Sequence, residues 1–178
     1  MTNISLIGFM GSGKTTVGRL LANRLKFNFI DIDRVVEDRA GMKIWKIFEK
    51  HGEEYFRILE SQVIKEVLGK ANNTVIACGG GVVLREDNVN TLRKNSIVVY
   101  LRISVDEAYK RLKDCSDRPL LSIDDKLIAI SKLLRIREPL YLRAADKVVD
   151  VDGKTPEEVV DCIIKLLPAD VIRNVHTC

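Results

Sequence analysis

The run Gly8-Phe9-Met10-Gly11-Ser12-Gly13-Lys14-Thr15 fits the pattern G-x-x-x-x-G-K-[ST]. It lies between a short apolar stretch, Ile4 to Ile7, and a helical pattern, Lys14 to Leu25. Few local patterns restrict a fold as tightly, because this one works only where a buried strand feeds a loop that opens a helix. Glycines let backbone N–H groups wrap an anion without Cβ clashes. Lys14 brings a cation to the β- and γ-phosphates of a nucleotide, and the Thr15 hydroxyl is suited to Mg²⁺. The helix adds the positive end of its dipole. Gly11, Ser12, Gly13, Lys14, Thr15 and Thr16 are the expected nucleotide contacts.

The rest of the chain repeats the alternation that the motif begins. Ile4 to Ile7, Phe27 to Ile32, Thr74 to Cys78, Ile97 to Leu101 and Lys147 to Val151 read as strands. They are short and dense in Val, Ile and Leu, as buried parallel strands are. Helical patterns lie between them, two of them opened by capping boxes: Ser104-Val105-Asp106-Glu107, and Thr155-Pro156-Glu157-Glu158 with proline at the first helical position. The expected fold is α/β, a parallel sheet covered by helices on both faces. With 178 residues, no internal repeat and no low-complexity linker, a single domain over 1–167 is expected.

Two regions break the alternation. The stretch Asp33 to Asn73 is helical throughout (Lys43 to Lys50, then Glu53 to Leu68) and far exceeds the dozen or so residues a simple crossover needs. It reads as an insertion with its own task. The polar stretch Asp114 to Asp125, around Arg118-Pro119-Leu120-Leu121, reads either as a lid or as an ordinary surface loop. The tail, 168–178, has no strong pattern and is expected to be loosely held.

Composition narrows the partners. A net charge of +4 is too small to argue for nucleic acid, although it suits anionic ligands. Cys78, Cys115, Cys162 and Cys178 are scattered, with only His51 and His176 beside them, so a zinc site is disfavoured. Cys78 and Cys162 read as small core residues in a reducing compartment. No targeting signal and no apolar run of about 18 residues is present, which makes a cytoplasmic protein the expectation. A monomer acting on a small molecule is expected, with neither nucleic acid nor membrane as partner.

In open parallel sheets, ligands bind beyond the carboxyl ends of the strands. The first strand ends in the phosphate-binding motif, the second in Asp31-Ile32-Asp33 and the third in Gly79-Gly80-Gly81. In an extended segment Asp31 and Asp33 would point the same way, one ordering Mg²⁺ through water and the other accepting a hydroxyl proton. They also read as a turn with Asp33 capping the helix Arg34 to Arg39. The triple glycine reads either as a row of N–H donors or as a tight turn needing positive φ. Arg57, with Glu60 one turn later, and Arg137 lie in helical patterns, where an arginine taken alone reads as solvated.

With these residues in view, the chain resembles the shikimate kinases from its first strand to about Leu167. The resemblance rests on residues 8–15, Asp31-x-Asp33, Phe56-Arg57-x-x-Glu60, Gly79-Gly80-Gly81, Arg118-Pro119-Leu120-Leu121 and Arg137-x-Pro139-Leu140-Tyr141, in order and in spacing. It implies a P-loop, nucleoside-monophosphate-kinase-like three-layer sandwich with a five-stranded parallel sheet. It implies a helical substrate-binding insertion at about 33–60 and a lid at about 112–125. The implied reaction is transfer of phosphate from ATP, with Mg²⁺, to the 3-hydroxyl of shikimate.

By the same resemblance, Lys14, Asp33 and Arg118 are catalytic. Asp33, Arg57, Gly79, Gly80, Gly81 and Arg137 hold shikimate. Arg111, Arg118 and Lys154 join the nucleotide site, Arg111 and Asp152 to Pro156 lying near the adenine, and Thr15 and Asp31 serve the metal. Arg57 and Arg137 would clamp the carboxylate, with Glu60 steadying Arg57. A gluconate kinase would share the loop and fold without the triple glycine and both arginine motifs. A nucleoside-monophosphate kinase has no need of a carboxylate clamp. A GTPase would show an N-K-x-D sequence, which this chain lacks.

Overall fold

A computed structural model describes residues 2–113 and 125–173. The elements run β1 (Ile4–Ile7), α1 (Lys14–Leu25), β2 (Asn28–Asp31), α2 (Ile32–Ala40), α3 (Ile44–Lys70), β3 (Thr74–Ala77), α4 (Glu86–Asn95) and β4 (Ile97–Arg102). They continue with α5 (Val105–Leu112), α6 (Lys126–Ala144), β5 (Lys147–Asp150), α7 (Pro156–Leu166) and α8 (Ala169–Arg173).

The five strands form one parallel sheet in the order β2-β3-β1-β4-β5. The three inner strands carry the apolar runs. β1 and β3 are buried throughout and β4 everywhere but its ends, whereas the edge strands β2 and β5 are only partly covered. A strand sandwiched between helix layers has no polar face, which is why these segments read as continuous apolar runs. The chain leaves β1 towards β2 on one side and later returns to β4 on the other. The β1 terminus is thus the switch point where a crevice opens.

The elements between β2 and β3 depart from a simple crossover. Asp31 ends β2 and caps α2, its side chain accepting from the Asp33 N–H at 3.1 Å. The helix therefore starts at Ile32. Asp31 is the cap where Asp33 was expected, and the two aspartates do not share an extended segment. The long helix α3 is broken at Gly52, with φ 80° and ψ 170°. Its two halves match the two helical patterns read from the sequence.

Thr155 forms the reciprocal capping box with Glu158, and Ser104 accepts from the Glu107 N–H. Over its described residues, 168–173, the tail differs from expectation: α8 forms there and Val171 is buried in the core; residues 174–178 lie outside the described residues. Cys78 is buried as expected, whereas Cys162 is only half-buried. Among the described residues, no helix is long and apolar enough to cross a membrane. Arg118 and most of the stretch 112–125 lie outside the described residues.

Candidate active site

The loop after β1 is shaped by its backbone. Gly13 caps α1 with φ 88°, a conformation that side-chain-bearing residues rarely adopt. Lys14 lies across the loop, its Nζ donating to the carbonyls of Gly8 at 2.8 Å and Phe9 at 2.9 Å. The Thr15 hydroxyl donates to Asp31 Oδ2 at 2.7 Å. That bond uses the hydroxyl proton and leaves its lone pairs for a hard cation, so Thr15 with Asp31 suits Mg²⁺. Among the described residues no three His, Cys, Asp or Glu side chains cluster to form a metal cage.

Arg111 ties this loop to the turn after β5. Its guanidinium donates to Gly11 O at 3.1 Å and reaches Val151 O at 3.5 Å, while Glu107 Oε1 receives its Nε at 2.7 Å. The turn from Val151 to Lys154 is closed by the Lys154 N–H on Val151 O at 3.2 Å. The two segments assigned to adenine are thereby brought together beside the loop.

Arg57 and Arg137 are not solvated. They are 7% and 3% exposed, and Glu60 is 0% exposed. Arg57 Nη1 meets Glu60 Oε2 at 3.0 Å and Nη2 meets Glu53 Oε1 at 3.0 Å. Glu53 is a partner that motif reading did not single out. Glu60 Oε1 has no hydrogen-bond partner among the described residues. Burial pushes the Glu60 carboxyl above the usual carboxylate range, with Arg57 working against the shift. Arg137 makes no ion pair among the described residues; its Nη1 reaches Gly80 O at 3.5 Å, and its guanidinium lies beside the Tyr141 hydroxyl.

Helical spacing explains the burial. Ile130, Leu134, Arg137, Tyr141 and Ala144 form one buried face of α6, while Phe56, Arg57, Glu60, Val63 and Ile64 form one on α3. An arginine set inside an apolar stripe was the available sequence signal.

The glycines after β3 are explained by close approach. None of Gly79, Gly80 and Gly81 has positive φ. A Cβ on Gly79 would stand 2.5 Å from Glu60 Oε1 and 2.8 Å from Asp33 Oδ1, and one on Gly81 would run into the Arg57 guanidinium. Carboxylates and guanidinium press directly against the backbone there.

These groups surround two adjoining cavities. The larger, about 530 Å³, is lined by Asp33, Arg57, Glu60, Arg137 and the three glycines, with an apolar wall of Trp45, Phe48 and Phe56. The smaller, about 210 Å³, is lined by Gly11, Gly13, Lys14, Thr15 and Thr16. Met10, Thr15, Asp31, Asp33 and Gly80 line both. The cavity beside the glycine-rich loop and the cavity rich in guanidinium thus share one wall, and that wall carries the two aspartates.

Known proteins resemble the chain in sequence and in fold. A family model described as shikimate kinase matches residues 10–168. The chain belongs to the shikimate kinase family. The shikimate kinase of Caldanaerobacter subterraneus subsp. tengcongensis is 48% identical over 165 residues, 93% of this chain and 95% of that one. Shikimate kinase from Acinetobacter baumannii, solved in complex with shikimate, superposes with a TM-score of 0.90. It shares 37% identity and covers 93% of this chain and 92% of its own. The Aquifex aeolicus shikimate kinase gives a TM-score of 0.81 at 41% identity, covering 92% of this chain and 95% of that one.

Like these kinases, the chain is a small-molecule phosphotransferase with ATP as co-substrate and the P-loop kinase fold. Two further contacts of this shikimate kinase family member involve residues of the quoted motifs. One is the aromatic wall, where Phe48 and Phe56 meet with centroids 5.0 Å apart. The other is the Tyr141 hydroxyl, which donates to the Gly80 carbonyl.

Proposed function

We propose that the chain carries out its family's reaction: it moves the γ-phosphoryl group of ATP to the 3-hydroxyl of shikimate. The products are ADP and shikimate 3-phosphate, an intermediate of chorismate and aromatic amino-acid biosynthesis. The observation that carries the acceptor is Arg137. A guanidinium 3% exposed with no ion pair among the described residues is costly, and an anionic ligand in the adjoining cavity removes that cost.

The roles follow from chemistry. Arg57 and Arg137 bracket the acceptor carboxylate, and Glu60 with Glu53 keeps Arg57 oriented. Asp33, on the wall common to both cavities, orients the hydroxyl and takes its proton. Its contribution is mainly orientation, since a loose phosphoryl transition state asks little of a base. Gly79, Gly80 and Gly81 line the acceptor side. Lys14 and the loop amides of 11–16 neutralise the phosphates. Thr15 and Asp31 would hold Mg²⁺, which would supply positive charge to the transferred phosphate. Arg111 and the turn around Lys154 flank the adenine. Arg118, outside the described residues, is assigned to the moving phosphoryl on the family resemblance alone.

We further take the insertion at about 33–60 as the substrate-binding segment of a single kinase domain, 1–167, followed by the tail 168–178. The working unit is taken as a cytoplasmic monomer with no nucleic-acid or membrane partner. ADP release at saturating ATP and Mg²⁺ tests the reaction. Shikimate should stimulate it strongly and gluconate should not. Equal stimulation by both, or by neither, would overturn the reading.

A further inference from the structure

We propose that Tyr141 is a positioning residue for the acceptor pocket: its hydroxyl, donating to the Gly80 carbonyl, sets the backbone that the glycine turn presents to the acceptor. The inference rests on the acceptor reading above and extends it to a residue that does not line the cavity.

Gly80 is where the turn is least constrained by contact. A Cβ there would meet nothing nearer than 3.5 Å, unlike the crowded positions on either side. The flanking carbonyls are held by the turn itself, Gly79 O by the Val82 N–H at 3.1 Å and Gly81 O by the Leu84 N–H at 3.0 Å. The Gly80 carbonyl is instead held from α6, by the Tyr141 hydroxyl and more distantly by Arg137 at 3.5 Å. With no cis peptide in the described chain, a carbonyl and the N–H of its own peptide point in opposite directions. Fixing Gly80 O against α6 therefore fixes the direction of the Gly81 N–H in the cavity these glycines line.

The tyrosine is itself fixed. It is fully buried one turn beyond Arg137, on the same face of α6. Its ring stacks on Tyr100 of β4, centroids 5.0 Å apart and planes 25° apart. Burial, opposed by Arg137, pushes its phenol up to about 12, so it remains a donor at neutral pH. One carbonyl thus joins the glycine turn after β3 to α6, the helix that carries Arg137.

The test compares Tyr141→Phe, Tyr100→Phe and Arg137→Ala in the full chain. Readouts are KM for shikimate and for ATP, kcat, thermal melting and quenching of Trp45, the single tryptophan, which lines the cavity. Tyr141→Phe should raise KM and Kd for shikimate roughly tenfold, the loss expected for one buried hydrogen bond, with KM for ATP within about twofold. Tyr100→Phe removes a hydroxyl with no partner among the described residues and should shift neither KM.

An unchanged shikimate KM in folded Tyr141→Phe overturns the proposal, as does an equal rise in both KM values. A Tyr141→Phe chain that fails to fold also overturns it, since the hydroxyl would then serve the fold. If Arg137→Ala weakens shikimate and Tyr141→Phe does not, only the Tyr141 role falls. If Arg137→Ala has no effect either, the acceptor reading falls and takes the proposal with it.

Discussion

Replacing Arg137 and Arg57 separately by alanine distinguishes a side chain that holds only a ligand from one that also holds the fold. Arg137 has no ion pair among the described residues, and its bond to Gly80 O is a long 3.5 Å. Removing it costs little in the free protein but strands the acceptor carboxylate. Truncating one partner of a buried, hydrogen-bonded charge pair costs about 2–5 kcal/mol in binding. At 1.36 kcal/mol per factor of ten, that is roughly a 30- to 5,000-fold rise in Kd for shikimate.

Arg57 differs because Glu60 depends on it. Glu60 is 0% exposed, its Oε2 is held by Arg57 at 3.0 Å, and its Oε1 has no described partner. Arg57→Ala leaves that carboxyl buried without its counter-charge, a loss of about 3–5 kcal/mol. Protonation of Glu60, already favoured by burial, reduces it. For a chain of this size about 2–4 °C of Tm follows each kcal/mol. Calorimetry should therefore show Tm falling by roughly 6–20 °C for Arg57→Ala and by only a few degrees for Arg137→Ala. Trp45 fluorescence should show shikimate binding weakened in both. Equal Tm losses, or a Kd for Arg137→Ala within about threefold of the parent, would refute the reasoning.

Two further outcomes follow from the crowded turn and its buried carboxyl. Gly79→Ala drives a methyl against Glu60 Oε1 at 2.5 Å and Asp33 Oδ1 at 2.8 Å. Glu60 is pinned, so Asp33 moves; turnover should fall by roughly 10²-fold, the usual cost of a misplaced reacting group. Gly80→Ala, with 3.5 Å of clearance, should lose less than about tenfold, and a reversed order in steady-state assays would contradict the account. For Glu60, the folded pKa lies above the ordinary value, so its stabilising contribution is complete below the ordinary carboxylate range and is lost as pH rises through the folded pKa. Glu60→Gln does not titrate. Its Tm relative to the parent should climb as pH rises from about 4, and a flat or falling difference across a melting series would exclude a raised pKa.

Much of this was legible along the chain because it is local. The strand, loop and helix at residues 4–25 follow from residue type and spacing, as do the capping box at Thr155 and the two halves of α3 on either side of Gly52. The parallel sheet follows too, because strands buried on both faces must be apolar at nearly every position. The exceptions lay where a local rule had two solutions. Asp31 and Asp33 are both able to cap a helix, and the cap fell on Asp31, which the Thr15 hydroxyl also engages.

What depended on distance in sequence was decided by packing. Arg57 with Glu60, and Arg137, carry charge inside apolar stripes, and sequence distance alone does not say that α3 and α6 converge on one glycine turn. Gly79 and Gly81 are small because carboxylates and a guanidinium from α2 and α3 fill the space beside them, a reason absent from their own neighbours in the chain. The Tyr141–Gly80 contact joins residues 61 apart. Backbone preference and periodicity act over a few residues and can be read from them. Burial, charge compensation and close approach exist only once the sheet has brought its strand ends together.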